Sequence, residues 1–178
     1  MYEIELKAHV PNPDEVRQAL NSFAEYKGQT FKRDKYYKIP SEKSEKGYEK
    51  FRVRIENGAS YLTYKTKTKV KNPDGSFMEV NSESECKIDN FETIEKLFTS
   101  LGAQVSFEKT KDVEHWYYFS HKQNIHIELC DVCKLGYFIE IEVMSDKNDD
   151  NTVNKIREQE LDILDKCKIG RDQIESKF

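Results

Sequence analysis

Acidic side chains recur at every second position in two segments of this chain. Residues 3–7 read Glu-x-Glu-x-Lys, and residues 140–142 read Glu-x-Glu. Side chains two residues apart on a β-strand point to the same side, so each pair of glutamates can converge on one ion. Mg²⁺ and Mn²⁺ prefer hard oxygen ligands such as carboxylates. The spacing therefore predicts a divalent-metal site formed by Glu3, Glu5, Glu140 and Glu142.

Cationic side chains are predicted to bind phosphate. They are Arg52, Arg54, Lys65, Lys109 and Lys111. An arginine grips phosphate oxygens through a planar fork, whereas a lysine contributes a compact charge. The sequence contains no GxxxxGK[ST] loop that would bind phosphates through backbone amides. Side chains, including that of Lys7, must then hold any phosphate group.

The charged faces of the predicted strands are interpreted as internal. An ordinary sandwich would turn such faces to water, but here the polar positions are consistently charged and predicted helices offer a second apolar surface. An inverted barrel, with apolar faces outward against helices and polar faces inward, fits better. One parity of each strand would line its interior: Glu3, Glu5, Lys7, Arg52, Arg54, Lys65, Glu83, Glu85, Lys109, Lys111, Glu128, Glu140 and Glu142. Because burying so many charges is costly unless they are paired or hold ligands, a metal-bound polyanion is the expected occupant.

The elements that carry these residues are predicted from hydrophobic periodicity. Helical spacing predicts amphipathic helices over Pro13–Glu25, Phe91–Leu101 and about Thr152–Cys167. Alternation with period two predicts strands over Tyr2–Ala8, Phe51–Glu56, Ser60–Val70, Phe77–Ile88, His115–Phe119, Ile125–Cys130 and Tyr137–Val143. The expected fold class is α+β, with the helices packed outside the barrel.

A weak internal repeat organises the chain into two halves. The Glu-x-Glu-x-Lys of residues 3–7 recurs at residues 83–87, and each copy precedes a predicted helix. The aromatic segment 34–37 then aligns with 114–117, which predicts two strand–helix–strand halves. The turn residues of Asn72-Pro73-Asp74-Gly75 predict a hairpin, and Ser41–Lys50 is expected to be a polar loop.

Composition limits the classes of partner. The 178 residues fit one domain spanning 1–178, and a net charge of −4 disfavours duplex DNA or an anionic membrane as partner. The basic stretch Lys65–Lys71 is therefore interpreted as a solvated hairpin end, with only Lys65 kept as a site residue. Because the first residues lack the basic and apolar regions of a signal peptide, we expect a cytoplasmic protein without nucleic-acid or membrane partners.

Cysteines, histidines and aromatic residues receive structural interpretations. The four cysteines are expected to be free thiols, because Cys130-x-x-Cys133 has no second ligand pair that would complete a zinc site. The four histidines show no catalytic pairing. The aromatic side chains of two predicted strands are expected to pack in the walls rather than stack on a base: Tyr36, Tyr37, Trp116 and Tyr117.

The order of these motifs resembles the CYTH superfamily, the triphosphate tunnel metalloenzymes. The signature Glu-x-Glu-x-Lys at residues 3–7 is followed in family order by segments 34–37, 51–54, 62–65, 83–85, 109–111 and 135–142. The resemblance covers nearly the whole chain and implies an eight-stranded antiparallel β-barrel that forms a tunnel. The Leu-Gly-x-Phe-x-Glu-x-Glu segment at 135–142 is most similar to the class IV adenylyl cyclase branch.

That branch implies conversion of ATP to cyclic AMP and pyrophosphate with Mg²⁺ or Mn²⁺, in a protein that could be a homodimer. The resemblance implies catalytic roles for Glu3, Glu5, Lys7 and Lys111. It implies triphosphate binding by Lys7, Arg52, Arg54, Lys65, Glu83, Glu85, Lys109 and Lys111. The implied metal ligands are Glu3, Glu5, Glu128, Glu140 and Glu142.

Departures from the branch pattern keep two other functions open. Cys130 stands where the pattern has an aspartate, Lys111 stands where an arginine is usual, and residues 170–174 lack the usual aromatic ending. Glu128 shares the parity of Cys130 and could substitute for the aspartate. The first alternative is a triphosphatase acting on thiamine triphosphate or inorganic triphosphate, and the second is a non-catalytic sensor of nucleotides or polyphosphate.

Overall fold

The computed structural model describes residues 1–71, 77–120 and 123–175, with the side chains of 67–71 and 77–79 left out of the description. These residues form eight strands, three helices and a short 3-10 helix. In chain order these are β1 (Tyr2–His9), α1 (Pro13–Phe23), β2 (Glu25–Pro40), β3 (Tyr48–Glu56), β4 (Ala59–Lys71), β5 (Phe77–Ile88), α2 (Phe91–Ser100), β6 (Gln104–Ser120), β7 (Gln123–Val132), β8 (Gly136–Ser145), α3 (Asp150–Lys166) and the 3-10 turn Arg171–Gln173.

The strands form a closed antiparallel barrel in the order β1-β5-β4-β3-β2-β6-β7-β8. Strand β1 runs antiparallel to both β5 and β8, so the first strand of the chain closes the sheet against the last. Closure gives each strand of the described residues a neighbour on both sides. The predicted fold class, an eight-stranded barrel with charged residues inside and helices as separate elements, is confirmed.

Most predicted elements are present with shifted ends. Each helix begins within two residues of its predicted start, behind an asparagine or aspartate cap: Asn12, Asn90 and Asp149. Strand β6 begins at Gln104, well before the predicted His115, and β2 is a strand for which no alternating run was predicted, although it contains the segment 34–37 of the repeat. The loop expected over 41–50 is shorter, since β3 begins at Tyr48. The hairpin predicted at residues 72–75 lies outside the described residues.

The chain divides into two compact units, of which the first comprises Met1–Gln29, Thr66–Ser82 and Asp112–Phe178. Its hydrophobic core joins the apolar parity of β1, β7 and β8 to α1 and α3. Fully buried members include Ile4, Leu20, Ile125, Ile127, Ile139, Ile141, Ile163 and Leu164. Each such side chain stabilises the fold by about 1.5–3 kcal/mol relative to leaving it exposed. Since this parity packs against helices, the other parity, which carries Glu5 and Glu140, faces the barrel interior.

The second unit comprises Thr30–Lys65 and Glu83–Lys111. Its core packs α2 against β2 and β3 through Tyr37, Val53 and Phe98, among others. The Tyr37 ring lies 5.1 Å from Phe51 in a stacked pair and 5.8 Å from Phe98 in an edge contact. Here too the apolar parity of the strands lies under a helix. No helix of the described residues is long and apolar enough to cross a membrane.

One carboxyl group of the first unit is fully buried without a hydrogen bond among the described residues. Glu160 of α3 is 0% exposed, and neither of its carboxyl oxygens has a hydrogen-bond partner among the described residues. Burial raises the pKa of Glu160 well above its ordinary value, an effect that the nearby Arg157 only partly opposes. The folded protein therefore favours the neutral carboxylic acid at this position.

We expect Glu160→Gln to stabilise the protein at neutral pH. Because the folded pKa is raised, the contribution of Glu160 is present below the unfolded pKa of about 4.3 and is lost as pH rises toward the folded pKa, by up to about 1.4 kcal/mol per pH unit. Glutamine cannot ionise, so the variant should lose this dependence. Urea denaturation at a series of pH values measures this pH dependence of the free energy of unfolding. The exposed Glu158→Gln of the same helix is the control. A Glu160→Gln variant less stable than wild type at neutral pH would contradict the assignment.

Candidate functional site

Three carboxylates of the first unit form what we call the carboxylate cluster: Glu5, Glu140 and Glu142. Each offers an oxygen, and these oxygens all lie within 4.8 Å of one another. Antiparallel pairing of β1 with β8 places Glu5 directly opposite Glu142, which is why residues so distant in sequence meet. An all-oxygen donor set of this kind suits Mg²⁺ or Mn²⁺. The cluster therefore contains three of the five predicted metal ligands.

One ion pair and one amide contact hold the carboxylate cluster in place. Lys7 lies opposite Glu140, and its Nζ donates a hydrogen bond to Glu140 Oε1. Both side chains are nearly buried, so the ammonium offsets much of the cost of desolvating that carboxylate. Asn81 Nδ2 lies 3.5 Å from Glu5 Oε2, while Asn81 Oδ1 is buried with no partner among the described residues. That oxygen is an acceptor that a bound cation or donor would satisfy.

The other two predicted metal ligands take different positions. Glu3 is on the same face of β1 as Glu5, opposite Met144 of β8, and does not belong to any close group of potential metal ligands found among the described side chains. Glu128 of β7 is 2% exposed and lies opposite Glu140. Its carboxylate joins Cys130 and Glu140 in a second close group. Glu128 is thus adjacent to the carboxylate cluster, whereas Glu3 extends along β1.

The thiol at position 130 is part of the interior. Cys130 is fully buried, and its Sγ lies 3.7 Å from Glu128 Oε2. Asp131 has the opposite parity on β7, so it faces away from this group. Glu128 is therefore the carboxylate that shares the face of Cys130 and lies in contact with it. All four cysteines are free, as expected.

No catalytic pairing of histidines was expected from the sequence, and the structure brings two of them, His115 and His126, into contact. His115 Nδ1 lies 3.1 Å from His126 Nε2, and the two rings stack with centroids 5.3 Å apart. His126 Nδ1 lies 3.1 Å from Glu142 Oε2. The pair was missed because parity was applied to the charged residues alone, although His115 shares the parity of Lys111 and His126 that of Glu128.

The second unit contains what we call the arginine cluster, formed by Asp34, Arg52 and Arg54. Asp34 is 0% exposed and accepts two hydrogen bonds from Arg54, at 2.7 Å from Nε and 3.0 Å from a terminal nitrogen. Arg52 is 3.9 Å from the same carboxylate. Burial alone would raise the pKa of Asp34, but these arginines and Lys109 bring it below its ordinary value. Asp34 was not predicted as a site residue. It lies on the same face of β2 as Tyr36, the face that carries the charged residues.

Glutamates of β5 position the remaining cations of this unit. Lys65 Nζ lies 2.8 Å from Glu83 Oε1, and Arg52 lies 4.0 Å from Glu83 Oε2. Burial opposes ionisation of Glu83, yet Lys65 and the two arginines lower its pKa below the ordinary value. Arg52 also donates to Thr63 Oγ1 at 3.2 Å, and Thr63 in turn donates to Glu85 Oε2 at 2.9 Å. Glu83 thus contacts two of the cations predicted to bind phosphate, and Glu85 is linked to Arg52 through Thr63.

Cationic side chains of this unit are placed to bind an anionic ligand. The Nε atom of Arg52 is buried and has no hydrogen-bond partner among the described residues. Lys111 is 3% exposed, and Lys109, two residues before it on β6, places its Nζ 5.7 Å from the centre of the Tyr36 ring. A buried N–H group without an acceptor is costly, so a phosphate oxygen would satisfy it.

The aromatic residues divide into two groups. Tyr37 and Trp116 are buried in the cores, which confirms their predicted wall-packing role. Tyr36 instead stacks on Phe107 at 4.2 Å and 10°, outside the hydrophobic clusters of the described residues. Tyr117 is 40% exposed and stacks on His126. The prediction was wrong for these two, because alternation places them on the charged face of their strands.

Comparison with solved structures identifies relatives with the same fold. A protein of Pyrococcus horikoshii OT3, PH1012, is 26% identical with a TM-score of 0.73, covering 99% of this chain and 96% of that chain. A "putative adenylate cyclase" of Vibrio parahaemolyticus is 18% identical with a TM-score of 0.75, covering 100% and 95%. HpAC1 of Hippeastrum, described as having a dominant triphosphatase activity, is 14% identical with a TM-score of 0.61, covering 99% and 90%. A search of curated proteins finds no match.

The family assignment depends on a match over the full sequence. Residues 1–178 match the CYTH domain. The fold agrees with that match, since the barrel is closed and carries buried charged side chains inside. Members of this family act on triphosphates with divalent metal ions. The chain belongs to the CYTH family of triphosphate tunnel enzymes.

Proposed function

We propose that this chain is a metal-dependent adenylyl cyclase that converts ATP to cyclic AMP and pyrophosphate within a single domain, 1–178. The observation that carries the proposal is the charged interior of the barrel, which contains the all-oxygen carboxylate cluster and, in the second unit, the side chains of Arg52 and Arg54, each 15% exposed. A triphosphate with its metal ion supplies both the cations that carboxylates require and the anions that arginines require.

The carboxylate cluster is the proposed metal site. Glu5, Glu140 and Glu142 would hold Mg²⁺ or Mn²⁺, with Glu3 and Glu128 as further ligands along the same faces. The buried Asn81 Oδ1 supports this assignment, because it is an unsatisfied acceptor beside Glu5. When bound, the ion supplies positive charge that stabilises both the attacking and the leaving oxygen of phosphoryl chemistry.

The arginine cluster is the proposed phosphate site. Arg52 and Arg54 present planar forks, and Asp34 and Glu83 hold these forks in place through the contacts described above. Lys7, Lys65, Lys109 and Lys111 complete the set of phosphate contacts, and Lys7 and Lys111 also neutralise charge as pyrophosphate leaves. Interactions with a triphosphate would satisfy the Arg52 Nε proton that has no acceptor among the described residues.

An aromatic pair favours a nucleotide over inorganic triphosphate. Phe107 is 53% exposed and stacks on Tyr36, whose ring lies near Lys109 Nζ. An exposed ring beside a phosphate-binding cation offers a flat surface on which an adenine can stack, an interaction worth about 1–3 kcal/mol. Inorganic triphosphate has no group that uses such a surface.

A triphosphatase is the second candidate. Cyclase and triphosphatase share the metal and phosphate sites and differ in whether the ribose hydroxyl or water attacks. The specific features that favour the triphosphatase are Cys130 and Lys111, two buried residues that depart from the cyclase pattern. Thiamine triphosphate and inorganic triphosphate are then the substrates to compare with ATP.

A product assay with ATP, thiamine triphosphate and inorganic triphosphate, each with Mg²⁺ or Mn²⁺, tests the proposal. We expect cyclic AMP and pyrophosphate from ATP, and a decrease in turnover on the order of 100-fold or more for Glu5→Gln, because the carboxylate cluster loses a charge. The exposed Glu92→Gln of α2 is the matched control. Phosphate release without cyclic AMP would establish the triphosphatase, and ATP binding without turnover of any substrate would establish the sensor.

The role of the aromatic pair can be tested separately. We expect Phe107→Ala to raise the KM for ATP by about tenfold, consistent with the loss of a base stack, and to leave the KM for inorganic triphosphate unchanged. Steady-state kinetics with both substrates measure this difference. Phe119→Ala, which removes another exposed phenylalanine of β6, is the control. Equal effects on both substrates would show that Phe107 serves the structure and not the base.

A further inference from the structure

Two histidines and a glutamate of β6 and β7 converge beside the carboxylate cluster. His115 Nδ1 lies 3.1 Å from His126 Nε2 and 3.5 Å from Glu128 Oε1, and His126 Nε2 lies 3.8 Å from the same Glu128 oxygen. The side chains are 14%, 23% and 3% exposed, respectively. Three donor atoms thus meet at one point of a largely buried face.

The separations of these donors suit a transition-metal ion. Zinc binds imidazole nitrogen and carboxylate oxygen at about 2.0–2.2 Å, and two such ligands at a tetrahedral angle lie about 3.4 Å apart. The three observed separations, 3.1, 3.5 and 3.8 Å, bracket that value. An ion placed among the three donors would therefore lie about 2.0 Å from each of them, which is a bonding distance for zinc.

A carboxylate behind one histidine sets the orientation of its ring. His126 Nδ1 lies 3.1 Å from Glu142 Oε2, and an ionised carboxylate can only accept a hydrogen bond. Nδ1 therefore carries the proton, and Nε2 presents its lone pair toward His115 and Glu128. A carboxylate that binds the second nitrogen of a ligating histidine is a recurrent feature of metal sites, because it fixes the tautomer and raises the basicity of the ligand.

Aromatic stacking restricts the rings further. The His126 ring stacks with two partners, Tyr117 at 4.9 Å and His115 at 5.3 Å, with interplanar angles of 21° and 5°. Such stacking limits rotation of the imidazoles, so less conformational freedom is lost when an ion binds.

We propose that His115, His126 and Glu128 form a second cation site, specific for Zn²⁺ or a chemically similar ion such as Co²⁺, with Glu142 as its supporting hydrogen-bond acceptor. Two imidazoles and one carboxylate favour borderline transition metals, whereas Mg²⁺ selects oxygen donors. The carboxylate cluster has only oxygen donors, so the two sites select different ions. Glu128 would be shared between them, with Oε1 as the oxygen nearest the histidines. The inference does not depend on the proposed cyclase activity.

Cobalt titration in excess Mg²⁺ tests the proposal directly. Mg²⁺ saturates oxygen-only sites, and Co²⁺ bound by imidazoles gives visible absorption bands that added Zn²⁺ should remove. We expect one equivalent of Co²⁺ to bind wild type, and His115→Gln and His126→Gln each to weaken binding by more than about tenfold. His9→Gln is the control, because His9 is 45% exposed on β1 and contacts only Glu175 among ionisable partners described.

A second measurement leaves the chain unchanged and so avoids variants that fail to fold. In nitrogen NMR of labelled wild-type protein titrated with Zn²⁺ in excess Mg²⁺, the ring nitrogens of His115 and His126 should shift together at one equivalent, and those of His9 should not. Failure of wild type to bind Co²⁺ or Zn²⁺ under these conditions would overturn the proposal. Binding that is unchanged in both histidine variants, or ring shifts confined to other histidines, would also overturn it.

Discussion

Charge that is removed from water must be neutralised by a neighbour, a proton or a ligand, because an isolated buried ion is far too costly to keep. Inside this barrel the neutralisation is explicit. Lys7 neutralises Glu140, Arg54 neutralises Asp34, and Lys65 neutralises Glu83. The atoms left without partners among the described residues, such as Arg52 Nε and Asn81 Oδ1, are those that a metal-bound polyanion would complete.

The rest of the fold follows from this constraint. Strands that turn charges inward must turn their apolar residues outward, and those residues need cover from water. In the first unit α1 and α3 bury the apolar faces of β1, β7 and β8, and in the second unit α2 covers β2 and β3. Closure of the sheet then fixes the register that brings Glu5 opposite Glu142 and Lys7 opposite Glu140.

Alternation predicted the interior positions because side-chain parity on a strand is set by the backbone alone. It could therefore identify Glu5 and Arg52, and the order of the motifs supplied the closed barrel. Parity does not show which residues of different strands meet, and this depends on register. The contact of His115 with His126 and the double hydrogen bond of Asp34 with Arg54 arise from strand pairing, so parity could place these residues on the interior face but could not show that they meet. No strand was predicted over Glu25–Pro40, because the hydrophobic alternation of β2 is weak and resembles that of a loop.

The central claim is that the buried charges bind a triphosphate and its metal ion. A crystal structure of the protein with inorganic triphosphate and Mn²⁺, in which manganese is located by its anomalous scattering, tests it most directly. The account predicts a manganese peak coordinated by Glu5, Glu140 and Glu142, and phosphate oxygens bound to Arg52 and Arg54. Manganese on exterior carboxylates, or triphosphate bound away from both arginines, would contradict it.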